Sequence, residues 1–225
     1  MTRFPIFRPI AEHSLLVEFG NTITPEAHAA VLHLDAKLAQ YPCHGFQEAT
    51  PAYVNLLVRF DPLTTDHASI ETVLRQLIAA PTQTQTTKSQ RSVAICYDAD
   101  LAPDLAEVAA RTGLSPESVI NAHLTGEYAV YLYGFAPGYA YLGGVPLPLQ
   151  LPRKDTAKRD VPAGSVIIAG PQCIVTTLTM PTGWWIIGRS PTQILRDDPA
   201  RPFLFDVGDA VKFERISRAE YEAAT

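Results

Sequence analysis

Three cysteines in a chain of 225 residues, Cys43, Cys96 and Cys173, are too few, too widely spaced and odd in number for a disulfide framework. None belongs to a Cys-x-x-Cys pair of the kind that opens a zinc site. A basic excess is missing too: with a formal net charge of −5 and 18% charged residues, no overall field favours nucleic acid or an anionic membrane. No run reaches the roughly 18 apolar residues of a membrane span. The start, Met1-Thr-Arg-Phe-Pro-Ile-Phe-Arg8, is too short and interrupted for a signal peptide. These absences lead to the expectation of a cytoplasmic protein with reduced thiols and no metal. Self-sufficient catalytic motifs are also missing: there is no Gly-x-Ser-x-Gly elbow, Walker loop or His-Glu-x-x-His helix. His28 and His33, five apart on one predicted helix, share no chelating face.

What is present begins with a hydrophobic content of 47%, enough for one large core or two modest ones. Residues 1–80 read as a small α+β domain. Strands are predicted over 4–10, 14–19 and 52–60, with a weaker one from Phe46. Thr24 caps a helix whose first turn holds Pro25 and Glu26, and Ala27, Ala30, Val31, Leu34 and Leu38 recur on one face. After the Asp61-Pro62 turn, a second helix aligns Ile70, Val73, Leu74, Leu77 and Ile78. Residues 81–90 have no apolar side chain beyond Pro81 and read as a linker. Residues 91–217 then form a mainly-β domain: a strand over 91–97, helices over 101–111 and from Ser115-Pro116, and strands over 127–133, 166–169, 174–179, 184–187, 203–205 and 210–215. Short strands punctuated by Gly and Pro point to a closed barrel or sandwich. Residues 218–225 are expected as a polar or helical tail.

Chemistry concentrates between Glu127 and Arg189. Phe135, Tyr139 and Tyr141 flank Pro137-Gly138, an arrangement suited to a pocket rim or an interface. Trp184 and Trp185 must point to opposite faces of any strand that holds both. The basic loop containing Arg153, Lys154, Lys158 and Arg159 offers a clamp for a carboxylate, carbamate or phosphate, and Arg153 suits bidentate contact. His123, near Glu127, has the residue type for acid or base work at neutral pH, although a helix-end histidine serves packing equally well. Ser165 reads as the start of a strand, without a base to make it a nucleophile. Asp104 and Glu107 read as dipole partners at a helix start. The residues by themselves describe a binding β-domain without a complete catalytic set.

In order and spacing, these motifs resemble one family: His123…Glu127-Tyr128…Gly134-Phe-Ala-Pro-Gly-Tyr-Ala-Tyr-Leu-Gly143, Pro152-Arg153, Val161-Pro-Ala-Gly-Ser-Val166, Gly170-Pro-Gln172, Pro181, Gly183-Trp184 and Ile187-Gly-Arg189. It is the 5-oxoprolinase B-subunit family (PxpB/KipI), also called allophanate hydrolase subunit 1. The same module forms carboxyltransferase subdomains C and D of urea carboxylase. The resemblance implies an α+β N-terminal domain followed by a cyclophilin-like β-barrel. It implies an amide or lactam site shared with a homologue of the 5-oxoprolinase C subunit, with ATP and the A subunit entering at the level of the complex. Its KipI-type members instead bind and inhibit a sensor histidine kinase. His123 would be catalytic, and Phe135, Pro137, Gly138, Tyr141, Arg153, Gln172 and Arg189 would bind substrate. Two departures stand out. Cys173-Ile-Val-Thr-Thr177 replaces a Thr-Gly-Ile/Val-Tyr-Pro run and removes a tyrosine from the expected pocket wall. Thr182 stands at a usual glycine.

Overall fold

The computed structural model describes residues 4–80 and 89–225. The chain divides into two compact units, Met1–Thr87 and Lys88–Thr225. Of the expected linker, residues 81–88 lie outside the described residues, and Gln90 already belongs to a strand.

In the first unit the order is β1 (Ile6–Ile10), β2 (Ser14–Glu18), α1 (Pro25–Gln40), β3 (Phe46–Ala52), β4 (Asn55–Phe60) and α2 (His67–Ala79). The strands form an antiparallel sheet in the order β1-β2-β4-β3. Thr24 caps α1 by accepting from the Ala27 amide, with Pro25 in the first turn. Asp66 caps α2 by accepting from Ser69. The apolar stripes meet Leu15, Val17, Leu56, Val58 and Phe60 in one core. The continuous strand expected over 52–60 is instead a hairpin. Ala52 pairs with Asn55, so Tyr53 and Val54 form the turn despite their β-favouring side chains.

The second unit runs β5 (Gln90–Ile95), α3 (Leu105–Thr112), α4 (Pro116–Leu124), β6 (Tyr128–Tyr133), β7 (Ala140–Gly143), β8 (Lys158–Val161), β9 (Ser165–Ala169), β10 (Gln172–Val175), β11 (Met180–Thr182), β12 (Trp185–Arg189), β13 (Ala210–Arg215) and α5 (Arg218–Ala223). Seven strands form one sheet, β12-β9-β10-β7-β6-β13-β5, antiparallel except for the β13–β5 pair. The sheet curls until its ends meet. The Cys96 amide donates to the Arg189 carbonyl at 2.8 Å, and the Arg189 amide donates back to Cys96 at 2.9 Å. A Cβ on Gly188 would sit 2.7 Å from Ile95 Cδ1 and 3.0 Å from the Cys96 carbonyl, so closure needs glycine there. The result is a nearly closed mixed barrel.

Alternation along the strands makes two clusters. Val166, Ile168, Cys173, Val175, Trp185 and Ile187 join the interior with residues of α3 and α4. Their neighbours Ile167, Ala169, Ile174, Trp184 and Ile186 form a second cluster on the outer face with Tyr139 and Val161. The two tryptophans are thus divided between the faces, as the pattern requires. The strand expected over 174–179 lies earlier, at Gln172–Val175, because the Thr176 amide donates to the Ser165 carbonyl at the end of the pairing and the chain then turns away. The predicted strand over 203–205 is reduced to a bridge between Leu195 and Phe203. The tail, expected as polar or helical, is helix α5, held by a Ser217/Glu220 capping box.

Candidate functional site

The outer face carries a continuous ladder of rings. Tyr139 ends the loop before β7, and Tyr141 on β7 points out because Ala140 and Leu142 point in. Phe135 and Tyr139 lie 5.2 Å apart between ring centroids, Tyr139 and Tyr141 5.7 Å, and Tyr141 and Trp184 6.2 Å. Arg153 completes the row with its guanidinium carbon 5.5 Å from the Trp184 ring centre, within cation–π range. Phe135 is 71% exposed and holds a φ of +72°, a strained state for a bulky side chain. Gly138 shapes the same loop: its φ is +69°, and a Cβ would press to 2.6 Å from Leu195 Cδ2. The Pro137 carbonyl accepts from the Thr177 hydroxyl at 2.9 Å, pinning the loop to the end of β10. Burial pushes the Tyr139 phenol up to about 12, so at neutral pH it remains a hydrogen-bond donor.

The basic loop does not act as one clamp. Arg153 lies over Trp184, whereas Lys154 turns the other way into a mostly buried ion pair with Asp104 at 2.5 Å. Lys158 and Arg159 lie exposed on β8. Asp104 stands at the N-cap of α3, where a dipole partner is expected, but its side chain makes no cap bond and accepts instead from Lys154 and from the Ile186 amide at 2.8 Å. Gln172 pairs with Ala169 and alternates with the inward Cys173, which places it on the outer face. Arg189 pairs with Ser165 at the closing end of the barrel, and its stem runs beside the Gly164 turn. Gly164 and Ser190 there line a cleft of about 290 Å³ with Thr176, Thr177 and Tyr221. Ser165 is buried and donates to the Pro162 carbonyl at 2.7 Å, a strand-start role.

His123 lies apart from the outer-face ladder, in the interior cluster. It has 0% exposure, and the rings it touches are Tyr97, Tyr128 and Phe213. Its Nδ1 is 2.7 Å from the Tyr97 hydroxyl, and its Nε2 is 3.6 Å from Cys173 Sγ. The Tyr128 hydroxyl donates to the His123 carbonyl at 3.1 Å. Glu127, expected beside it, is exposed. Desolvation lowers the His123 pKa to about 3, and burial raises the Cys173 thiol, so both are neutral at physiological pH. In this geometry His123 is a neutral, fully buried imidazole packed among rings.

The two departures also acquire physical roles. Cys173 fills the interior beside His123. Thr182 is buried at an ordinary backbone angle, and its hydroxyl accepts from the Trp184 amide at 3.1 Å. Sequence reasoning missed Thr182 as a support for Trp184, and it missed the Lys154–Asp104 pair. The first was legible as a Thr-x-Trp spacing; the second joins residues 50 apart and leaves no local signal.

Residues 5–205 match the carboxyltransferase domain, subdomain C and D. The chain is 34% identical over 225 residues to the 5-oxoprolinase B subunit from Bacillus subtilis (strain 168), covering 95% of this chain and 94% of that one. It is 44% identical over 123 residues to the 5-oxoprolinase B subunit from Escherichia coli O157:H7, or 54% of this chain and 56% of that one. The crystal structure of TTHA0988 superposes with a TM-score of 0.79 at 34% identity; it covers 92% of this chain, which spans only 40% of that longer one. The Kluyveromyces lactis urea carboxylase shares the fold, with a TM-score of 0.74 at 16% identity over 96% of this chain and 22% of that one.

Proposed function

The chain belongs to the 5-oxoprolinase B-subunit family, built on carboxyltransferase subdomains C and D, and from that premise we propose that it is the B subunit of an ATP-dependent 5-oxoprolinase. Its outer face would form one half of an active site completed by a C-subunit homologue, with ATP and the A subunit entering at the level of the complex. The observation that carries this reading is the exposed Arg153 over the buried Trp184, on the face that also presents the exposed Phe135 and the half-buried Tyr141. A planar lactam bearing a carboxylate needs these two features: a flat apolar surface for its ring and a guanidinium for its charge. Tyr139 lies buried beneath this face as a neutral phenol. No base stands among the residues of this ladder, which fits a protein that contributes recognition and leaves part of the chemistry to a partner. The substrate-binding set we propose is Phe135, Pro137, Gly138, Tyr141, Arg153 and Gln172, with Arg189 at the neighbouring cleft. His123 supports the barrel from within.

The test is co-expression with homologues of the A and C subunits and an assay of ATP-dependent 5-oxoproline hydrolysis. A stable complex whose activity falls in the Arg153→Met variant is expected. Full activity in that variant, or failure to associate with the C-subunit homologue, contradicts the reading. A second reading, a KipI-type regulator of a sensor histidine kinase, draws on the exposed and strained Phe135 ring. Capture of a kinase through Phe135, with no affinity for the C-subunit homologue, would favour it. A carboxyl-transfer role beside a biotin-dependent partner rests on the shared fold alone.

A further inference from the structure

We propose that Lys154 and Asp104 are positioning residues for Arg153, acting through the backbone of Pro152–Lys154. The functional importance of that position rests on the reading of Arg153 as the anion-binding group; the geometry of the clamp does not.

Arg153 stands between two residues that are each tied down. On one side, the Pro152 carbonyl accepts from the Trp185 indole at 2.7 Å. On the other, the Lys154 amide donates to the Gly183 carbonyl at 2.7 Å. The Lys154 ammonium then reaches Asp104 Oδ2 at 2.5 Å, with the two side chains only 14% and 12% exposed. The same oxygen accepts from the Ile186 amide at 2.8 Å, and the Asp104 amide donates to the Ile186 carbonyl at 3.0 Å. Every anchor thus ends at the start of α3 or on the segment 183–186, which also carries Trp184. Lys154 passes within 5.6 Å of the Trp185 ring centre on the inner side, while Arg153 lies over Trp184 on the outer side.

The consequence is entropic and geometric. An arginine side chain loses considerable rotamer freedom when held in one pose, and a fixed backbone lowers the number of poses from which a ligand must select. A mostly buried ion pair is a weak source of net stability but a strict constraint on geometry. Anchoring both neighbours of Arg153 to the segment that carries its stacking partner fixes the guanidinium relative to the ring ladder before any ligand arrives.

The chain has two tryptophans, so a proton–nitrogen correlation spectrum of the free, full-length protein shows two indole signals. Trp184→Phe assigns them, and Arg153→Met defines the displacement of the Trp184 signal when the cation is withdrawn. The test variant is Asp104→Asn with Lys154→Met, which removes both charges and leaves neither buried alone. It is expected to move the Trp184 signal in the same direction as Arg153→Met, and to move it no further when added to Arg153→Met. Lys154→Arg, which keeps the pair, is expected to leave that signal near its original place. A Trp184 signal that stays put in the folded double variant overturns the proposal. So does an equal displacement in the Arg153→Met background, because the effect would then bypass Arg153. If the double variant does not fold, Asp104→Asn alone, which retains an acceptor for the Ile186 amide, is read by the same criteria. No substrate enters this experiment, so its outcome is separable from the hydrolysis assay above.

Discussion

One sheet of the barrel separates two clusters of rings and polar groups, one closed to solvent and one that reaches the surface at its ends. Inside, His123, Tyr97, Tyr128 and Cys173 hold one another at hydrogen-bond distance without access to solvent. Outside, Phe135, Tyr139, Tyr141, Trp184 and Arg153 form a row in which Tyr139 and Trp184 are buried, Tyr141 is half-buried, and Phe135 and Arg153 are exposed at its ends. The residue types that most suggest catalysis lie in the first cluster, where low polarity keeps them neutral. The exposed members, Phe135 and Arg153, lie in the second. A histidine in a family motif therefore says little until its solvent access is known; the same motif spacing serves the barrel interior and its outer face alike.

The comparison breaks most readily through stability. Leu142→Ala, on the inner face, is expected to cost about 3 kcal/mol in denaturant unfolding, because it opens a cavity in a filled interior. Phe135→Gly, on the outer face, is expected to leave stability unchanged or raise it by up to ~1 kcal/mol, since it relieves a positive φ while removing few contacts. Equal losses in the two variants would erase the distinction.

Acid sharpens the comparison next. The folded pKa of His123 is lowered to about 3 from 6.5, so below pH 6.5 the unfolded chain takes up a proton that the folded chain refuses. The stability this contributes is complete above pH 6.5 and is lost as pH falls toward 3. Its size is ~2 kcal/mol between pH 6.5 and 5, at about 1.4 kcal/mol per unit. His123→Gln, which retains a partner for the Tyr97 hydroxyl without titrating, should flatten this part of the pH profile in equilibrium unfolding. An unchanged slope would mean that His123 is open to protonation in the fold. A smaller effect concerns Thr182. Thr182→Val leaves the Trp184 amide without its acceptor and is expected to cost ~1 kcal/mol, measured the same way.

Much of the fold was legible because its signals are local. Thr24-Pro25 and Ser115-Pro116 mark helix starts by chemistry confined to one turn, and both caps are in place. The last strand alternates cleanly, and its predicted and observed limits coincide at 210–215. Elsewhere tertiary context overrode the local pattern. Tyr53 and Val54 favour a strand but form a hairpin turn, because β3 and β4 pair across them. β8 escaped notice because three of its four residues, Lys158, Arg159 and Asp160, are exposed and show no alternation. Of the candidate site, the Phe135–Tyr141 rim and Arg153 were visible as types of residue around Pro137-Gly138 and Pro152. Which face each occupies was not, since that depends on strand register. Nor were the partners of His123 and Lys154, which lie 26 and 50 residues away in the chain.

The outer face is proposed to meet the substrate while the buried histidine holds the barrel. The most direct test of that division compares His123→Gln with Arg153→Met in the assembled complex, scored by ATP-dependent 5-oxoproline hydrolysis at pH 7.5, where both variants are expected to fold. His123→Gln is predicted to keep kcat/KM within about threefold of the parent, whereas Arg153→Met lowers it at least tenfold, the equivalent of about 1.4 kcal/mol. The reverse pattern, with His123→Gln inactive and Arg153→Met unaffected, would contradict it.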